Sequence, residues 1–362
     1  MMSNKNTRVV VAMSGGVDSS VVAALLVEQG YDVVGLMLRL WAEPGGEANR
    51  CCTPDAIGDA QYIADELGIP FYVRDYKDIF KKTIVDSFID GYANGLTPNP
   101  CLTCNKTIRF DLLLKEALAL DAQYLSTGHY AKVKQNDDGI FELWKGIDPT
   151  KDQSYVLHTL TQQNLPHVMF PLGDYTKDQV RDMAVAYDLP VFNKPDSQDL
   201  CFLGKGSYRE FLDRHAPEIL QPGEIVNTEG AVLGKHKGLP AYTIGQRKGL
   251  GIAPPQPHYV IELKSDNNQL VVGTKDELGS DELTAHSATF VSGYPFTMPT
   301  RVEAKIRYKS RPTPATVTVL PDNRLHAKFD APLIDITPGQ GFVFFDGDQV
   351  LGGGIIEKSQ AG

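Results

Sequence analysis

Three sets of residues in this chain are of types, and at spacings, that could do chemistry. The first is Ala12-Met13-Ser14-Gly15-Gly16-Val17-Asp18-Ser19, set between the apolar run Val9 to Val11 and the apolar stretch Val21 to Leu26. A strand that turns through two glycines into a Ser/Asp-rich helix start leaves several backbone N–H groups aimed at one point, where the helix dipole also favours an anion. A phosphate cradle is expected there; a bare Gly/Ser turn that merely caps a helix is the plainer alternative. The segment lacks the lysine of G-x-x-x-x-G-K-[ST], so the γ-phosphate chemistry of that loop is not expected.

The second set is Cys101-Leu102-Thr103-Cys104, in a loop stiffened by Pro98 and Pro100 that enters a helix and continues to Asn105-Lys106. A helix N-terminus and a nearby lysine both favour a thiolate, which would make these thiols nucleophiles or metal ligands. Cys201, in Leu200-Cys201-Phe202-Leu203, follows Cys104 by 97 positions and reads, taken alone, as a core residue. A four-cysteine zinc site needs two C-x-x-C elements and only one is present, so zinc is not expected. Cys101, Cys104 and Cys201 could instead hold an iron-sulfur cluster with one open iron. Cys51 and Cys52 are adjacent, point in different directions, and read as structural or incidental. The third set comprises Thr127-Gly128-His129-Tyr130, where a glycine permits close approach of a ligand to the backbone, and Lys151-Asp152-Gln153-Ser154-Tyr155. His129 reads equally as a packed histidine, and Lys151 to Gln153 as a solvated turn.

The elements that must position these residues follow from periodicity. Val9 to Met13, Asp32 to Leu40, Phe71 to Asp75 and Tyr124 to Thr127 read as strands. Ser19 to Gln29, Pro54 to Leu67, Ile79 to Asn94 and Arg109 to Leu120 read as helices. The alternation predicts a parallel sheet covered by helices, with ligands beyond the carboxyl ends of the strands, where Ser14 to Ser19 falls. From about Lys205 the texture changes to short β-rich runs separated by turns such as Pro321-Asp322-Asn323 and Asp346-Gly347. The runs Thr300 to Tyr308, Ala315 to Leu320, Leu325 to Phe329 and Phe342 to Phe345 predict a small antiparallel barrel or sandwich. Three domains are expected, over 1–205, 206–279 and 280–362. The middle one carries the basic glycine loop Gly245-Gln246-Arg247-Lys248-Gly249-Leu250-Gly251.

The chain has 362 residues, five cysteines and a net charge of −10. The cysteine number is odd, and the residues before Val9 are polar and lack an apolar signal core, so a cytosolic chain with reduced thiols is expected. No apolar run is long enough to span a membrane. The net charge argues against nucleic acid, but it is uneven: residues 1–199 hold 18 Lys+Arg against 27 Asp+Glu, whereas residues 200–362 hold 17 against 18. In the near-neutral part Arg301, Lys305, Arg307, Lys309 and Arg311 would project from one face of a strand, either as a nucleic-acid surface or as a solvated face.

Ser14-Gly15-Gly16-Val17-Asp18-Ser19 resembles the PP-loop of the ATP pyrophosphatases, which break ATP between the α and β phosphates. With Thr97-Pro98-Asn99-Pro100, Cys104-Asn105-Lys106, Thr127 to Tyr130, Lys151 to Tyr155, Asp196-Ser197, Cys201-Phe202, Gly245 to Gly251 and Thr337-Pro338-Gly339-Gln340, the whole chain resembles the bacterial tRNA-specific 2-thiouridylases. The resemblance implies an α/β PP-loop domain of the adenine nucleotide alpha hydrolase type, a small central domain and a C-terminal antiparallel β-barrel. It implies ATP with Mg²⁺, tRNA as substrate, and a sulfur-donor protein or sulfide source. Ala12 to Ser19, Leu38 (where methionine is the family's residue) and Gly128 are then ATP contacts. Asn99, Pro100, Cys101, His129, Lys151, Asp152, Gln153, Arg307, Tyr308 and Gln340 are contacts to tRNA. Cys201 would carry a persulfide and Cys104 would attack it, leaving a transient Cys104–Cys201 disulfide. The chain departs from many relatives by having Cys101 where they have Asp, which favours the cluster alternative. A PP-loop ligase acting on a small metabolite, and a non-catalytic RNA-binding module, are the other readings.

Overall fold

The computed structural model describes residues 4–41, 53–195, 200–204, 206–252 and 256–357. Cys51, Cys52 and Asp196 to Asp199 lie outside them. Five short strands form a wholly parallel sheet: β1 (Arg8–Ala12), β2 (Asp32–Arg39), β3 (Phe71–Asp75), β4 (Tyr124–Ser126) and, after a hairpin of β5 (Ala131–Gln135) and β6 (Phe141–Lys145), β7 (Val168–Met169). Their order is β3-β2-β1-β4-β7. The chain builds outward from β1 to one side and then returns to its other side, so the crevice between the ends of β1 and β4 is the point where the order reverses and where such sheets bind ligands.

Successive residues of β1 face opposite layers, and both layers are dry, which is why the strand is a continuous valine run. Val9 and Val11 pack with α1 (Val17–Glu28), α2 (Pro54–Glu66) and, later in the chain, α8 (Lys177–Ala186) through Val21, Ile63 and Val180. Val10 packs on the other side with Phe80, Phe88 and Ile108. That second layer consists of α3 (Lys77–Phe80), a π-helical segment Lys81–Val85, α4 (Asp86–Ala93), α5 (Pro100–Thr103), a second π-helical segment Cys104–Leu112 and α6 (Leu113–Ala119). The helix expected from Arg109 thus begins at Pro100, where the Asn99 side chain caps the chain and proline occupies the first turn. Two short helices, α7 (Ser154–Leu157) and α9 (Tyr208–His215), complete the set used below.

A four-stranded sheet follows, ordered β10-β11-β8-β9, from β8 (Gly223–Asn227), β9 (Val232–His236), β10 (Tyr259–Lys264) and β11 (Gln269–Gly273), around Ile225, Val260 and Leu270. The last strands are β12 (Ser280–Phe290), β13 (Thr300–Lys305), β14 (Thr313–Leu320), β15 (Arg324–Leu333), β16 (Gly341–Asp346) and β17 (Gln349–Ile356). They run β12-β15-β14-β13-β16-β17, and β17 pairs back onto β12, closing an antiparallel barrel. β17 also takes β6 at Gln349↔Trp144 and Val350↔Leu143, so the hairpin of the first half of the chain is built onto the barrel wall.

One expectation is corrected here. The cationic row from Arg301 to Arg311 is not a single strand face, because β13 ends at Lys305 and Ile306 turns into the barrel core. Arg301 leaves the surface side paired with Asp330 on β15, and Arg307 turns inward.

Gly128 marks the closest approach of β4 to the head of α1: a Cβ there would lie 2.9 Å from Asp18 Cβ and 3.2 Å from Ser19 N. The obstruction is partly backbone, so a Gly128→Ala variant should lose roughly 1–3 kcal/mol. A denaturation midpoint unchanged from wild type would contradict this packing.

Candidate active site

The nucleotide end begins where β1 stops at Ala12. Gly15 takes φ +69°, and a Cβ on it would lie 2.4 Å from the carbonyl oxygen of Ala56, so the turn is fixed by the absence of a side chain. Gly16 precedes α1 with no capping side chain, which leaves the first-turn N–H groups of the helix for a ligand. Ser19 instead braces the loop, with its hydroxyl accepting from Ser14 N–H at 3.1 Å. Asp18 Oδ1 accepts from Tyr130 O–H at 2.8 Å and from the Lys177 ammonium at 2.7 Å, joining α1, the segment after β4 and the first turn of α8. Lys194 donates to Gly15 O at 2.9 Å and is paired with Asp59. Leu38 is buried in the sheet core, and Gly128 abuts Asp18 as above.

The thiol end is built from α5 and the π segment that follows. Asn99 Oδ1 accepts from Cys101 N–H at 3.2 Å, which sets the turn of the C-x-x-C loop. Asn105 is buried and donates to Val156 O at 3.0 Å, locking the loop onto α7. Cys104 is buried, Cys101 is exposed and Cys201 is half-buried, all three as free thiols. Cys101 keeps surface access, but the protein packed around its thiol and the nearby Cys201 and Cys104 raise its pKa, and Cys201 acts in the same direction on Cys104. Burial pushes Cys104 up to about 11 despite the opposing charge and hydrogen bond of Arg109. The thiolate expected from the helix N-terminus and lysine is therefore overturned at rest; desolvation outweighs both, and the cation that acts on Cys104 is Arg109. Cys201 is held by its neighbour Phe202, which is buried edge-on among Phe80, Phe88 and Phe211.

Between the two ends lies His129, buried, with Nδ1 2.7 Å from Thr127 Oγ1 and its ring 5.8 Å from both Phe110 and Phe170. Burial and then Arg109 hold it well below its usual range, so it is a neutral imidazole near pH 7. Asp152 and Gln153 shape the loop before α7: Asp152 accepts from Gly146 N–H and Ser154 N–H, while Gln153 Oε1 accepts from Tyr130 N–H at 3.1 Å. Lys151 sits half-buried on the same loop.

The barrel reaches over this region. Tyr308 O–H donates to Asp152 O at 3.0 Å, and the proximity of Cys101 helps to raise the Tyr308 pKa after burial and Asp152. Gln340 donates to Thr97 O at 2.7 Å, Thr97 N–H donates to Pro338 O, and Tyr155 O–H donates to Gly341 O at 2.8 Å. Arg307 is spent inside the barrel junction, donating to Ile244 O at 3.2 Å and to Thr337, with Asp335 at 3.6 Å. Thus the structure brings Asn99 to Cys101, Asp152, Tyr308 and Gln340 together. Arg307 lies nearby, engaged with protein. Among the described residues no group of three or more His, Cys, Asp or Glu side chains is arranged to hold a single metal ion.

Sequence reasoning missed Arg109, Lys177 and Lys194, and it placed Lys305 on a surface row, whereas its ammonium lies 6.0 Å from both the Tyr155 and Tyr308 ring centres. Arg109 is five positions from Cys104, roughly 140° away around a regular α-helix. Only the i→i+5 pitch of a π segment brings the two together, and such segments gather at functional sites.

A parallel-sheet domain with a glycine turn feeding a helix at the switch point defines a nucleotide-binding protein of the PP-loop type, with three thiols gathered in the same domain. Residues 7–205 match the tRNA methyl transferase HUP domain family, 209–274 the tRNA methyl transferase PRC-barrel domain and 280–356 the aminomethyltransferase beta-barrel domain. The chain is 49% identical over 360 residues to the tRNA-specific 2-thiouridylase MnmA 2 of Caldanaerobacter subterraneus subsp. tengcongensis, covering 98% of this chain and 99% of that one. It is 50% identical to the tRNA-specific 2-thiouridylase of Magnetococcus marinus over 96% and 98% of the two chains. With that of Clostridioides difficile the identity is 45% over 98% and 99%. The chain belongs to the tRNA-specific 2-thiouridylase family.

Cys104 held as a thiol until about pH 11 has a measurable signature. Its alkylation by iodoacetamide, followed on the Cys104 peptide by mass spectrometry, should accelerate about tenfold per pH unit from about pH 7 to 10. Arg109→Met should slow it throughout that range. A rate already flat above about pH 9, the behaviour of an ordinary exposed thiol, would contradict the burial.

Proposed function

We propose that this protein is an ATP-dependent tRNA-uridine 2-sulfurtransferase acting on the wobble uridine, position 34. The observation that carries the reading is the continuity of the glycine turn, through Gly128 on Asp18 and His129 beside Arg109, with Cys104 and Cys201, residues 97 positions apart in sequence. Neither a nucleotide site nor a thiol pair alone explains both.

ATP binds with its phosphates on Ala12 to Ser19, where backbone N–H groups meet negative charge without needing to reorganise. The uridine C2 oxygen attacks the α-phosphorus, pyrophosphate leaves, and a poor leaving group has become AMP. Asp18 is the loop's carboxylate and the hard oxygen donor a magnesium ion takes; bound there, Mg²⁺ would neutralise charge on the phosphates. Cys201 takes the sulfane sulfur of a persulfide on a sulfur-donor protein: the donor's S–S bond breaks, the donor leaves as its free thiol, and Cys201 becomes a persulfide. Cys104 Sγ then attacks Cys201 Sγ: a Cys104–Cys201 bond forms, the persulfide S–S bond breaks, and the terminal sulfur leaves as hydrosulfide. The two electrons that reduce the sulfane sulfur come from the two cysteines, now a disulfide. Hydrosulfide adds to C2, AMP leaves, and a thiol reductant restores the pair. Arg109 supplies the positive potential that Cys104 needs to ionise, and the neutral His129 adds no competing cation.

The tRNA rests on the edge where the barrel meets the C-x-x-C loop, with Asn99 to Cys101 beside the extruded base and His129, Lys151 to Gln153, Arg307, Tyr308 and Gln340 around it. Asp152 and Gln153 act there by shaping the loop, since their polar atoms are bonded to protein.

Cys201→Ser and Cys104→Ser should each abolish 2-thiouridine while tRNA-dependent AMP formation continues. Wild-type protein quenched by acid after one turnover should contain a Cys104–Cys201 disulfide, detected by non-reducing peptide mass spectrometry. AMP formed without RNA would point to a metabolite ligase. Activity that tracks bound iron would overturn the persulfide step.

A further inference from the structure

We propose that Lys177 and Lys194 are the cations that hold the pyrophosphate end of ATP, and that helix α8 sets both of them. The inference rests on the ATP-cleaving reading above and extends it to residues outside the loop. Pyrophosphate leaves with several negative charges. The loop from Ala12 to Ser19 offers backbone N–H groups and the positive end of the α1 dipole, equivalent to about half a charge. It contains no Lys or Arg, and its one ionisable side chain, Asp18, has the wrong sign for a phosphate. A loop of this composition needs cations from elsewhere in the fold.

Two ammonium groups already touch it. Lys177 is buried and donates to Asp18 Oδ1 at 2.7 Å. Lys194 donates to Gly15 O at 2.9 Å and pairs with Asp59 in the second turn of α2. They come from different sides, one onto the head of α1 and one onto the glycine turn, so together they flank the place where the free N–H groups point. Each is parked on a carboxylate, which keeps the charge satisfied while the site is empty and lets it be exchanged for phosphate oxygens. An ammonium, with three rotatable donors, suits such an exchange.

Their placement traces to one element. The Thr176/Gln179 capping box fixes the first turn of α8, where Lys177 sits, and Lys177 N–H donates to Asp148. Val180 and Ala184 anchor the helix in the same core as α1. One turn on, Arg181 donates to Phe192 O at 3.0 Å and to Lys194 O at 3.3 Å, holding the backbone that carries the second lysine. Lys194 is also seven residues ahead of Cys201, so the cation on the nucleotide loop and the sulfur carrier share one short stretch of chain.

The test is calorimetric titration of the full-length protein with inorganic pyrophosphate, ATP and adenosine. Lys194→Gln and Lys177→Gln should each weaken pyrophosphate and ATP about 10- to 100-fold, the worth of one charge-assisted contact. Adenosine should change less than about twofold, and Lys177→Arg should retain most of the pyrophosphate affinity. Lys194 is partly exposed, so its variant folds and carries the test even if Lys177→Gln does not. Gln variants that bind pyrophosphate like wild type, or that lose adenosine in the same proportion, would overturn the inference and leave the lysines a structural role. In that case wild-type protein still releases AMP with tRNA; if it releases none, the functional reading falls together with this one.

Discussion

The carboxylate of Asp18 is the joint on which the nucleotide end depends. One oxygen accepts from Tyr130, just beyond β4, and from Lys177, at the head of α8, while the backbone of Asp18 starts α1 behind the glycine turn. Three elements far apart in sequence are therefore fixed about one atom at the switch point of the sheet. Gly128 lets β4 approach this close, and Gly15 lets the turn pass under Ala56. A larger residue at either position would separate the elements that the carboxylate joins.

The thiol end obeys a different constraint. Burial of Cys104 in the layer beneath the barrel gives it a fixed position and costs it its charge, and Arg109, brought over it by the π pitch, returns part of that charge. A thiol kept protonated at rest does not exchange with stray disulfides, since the thiolate is the reactive species. The barrel completes the arrangement through Tyr308 on Asp152, Gln340 on Thr97 and the β6–β17 pairing, so a surface that could hold RNA and a site that could modify it belong to one continuous framework.

What was legible in the sequence was what short segments decide. The valine run of β1, the glycine turn and the helices beside them are set by neighbours within a few residues, and their positions matched to within two residues at β1, β2, α1 and α2. What was not legible depended on distant partners. The β5–β6 hairpin joins the barrel through β17, some 200 residues later. The cationic row broke at Ile306 because the barrel core, not the local alternation, decides which way that residue turns. The protonated state of Cys104 follows from burial, which composition does not reveal, and of the lysines on the nucleotide loop one comes from a helix whose local sequence shows only a well-capped amphipathic segment and the other from the irregular chain after it.

The central claim is that the uridine C2 oxygen leaves on AMP and that sulfur takes its place on the same protein. Transfer RNA carrying ¹⁸O at the C2 position of the wobble uridine tests it most directly, with mass spectrometry of the AMP released in one turnover. The account predicts one ¹⁸O in the phosphate of AMP for every 2-thiouridine formed. AMP free of the label, with 2-thiouridine still produced, would contradict it.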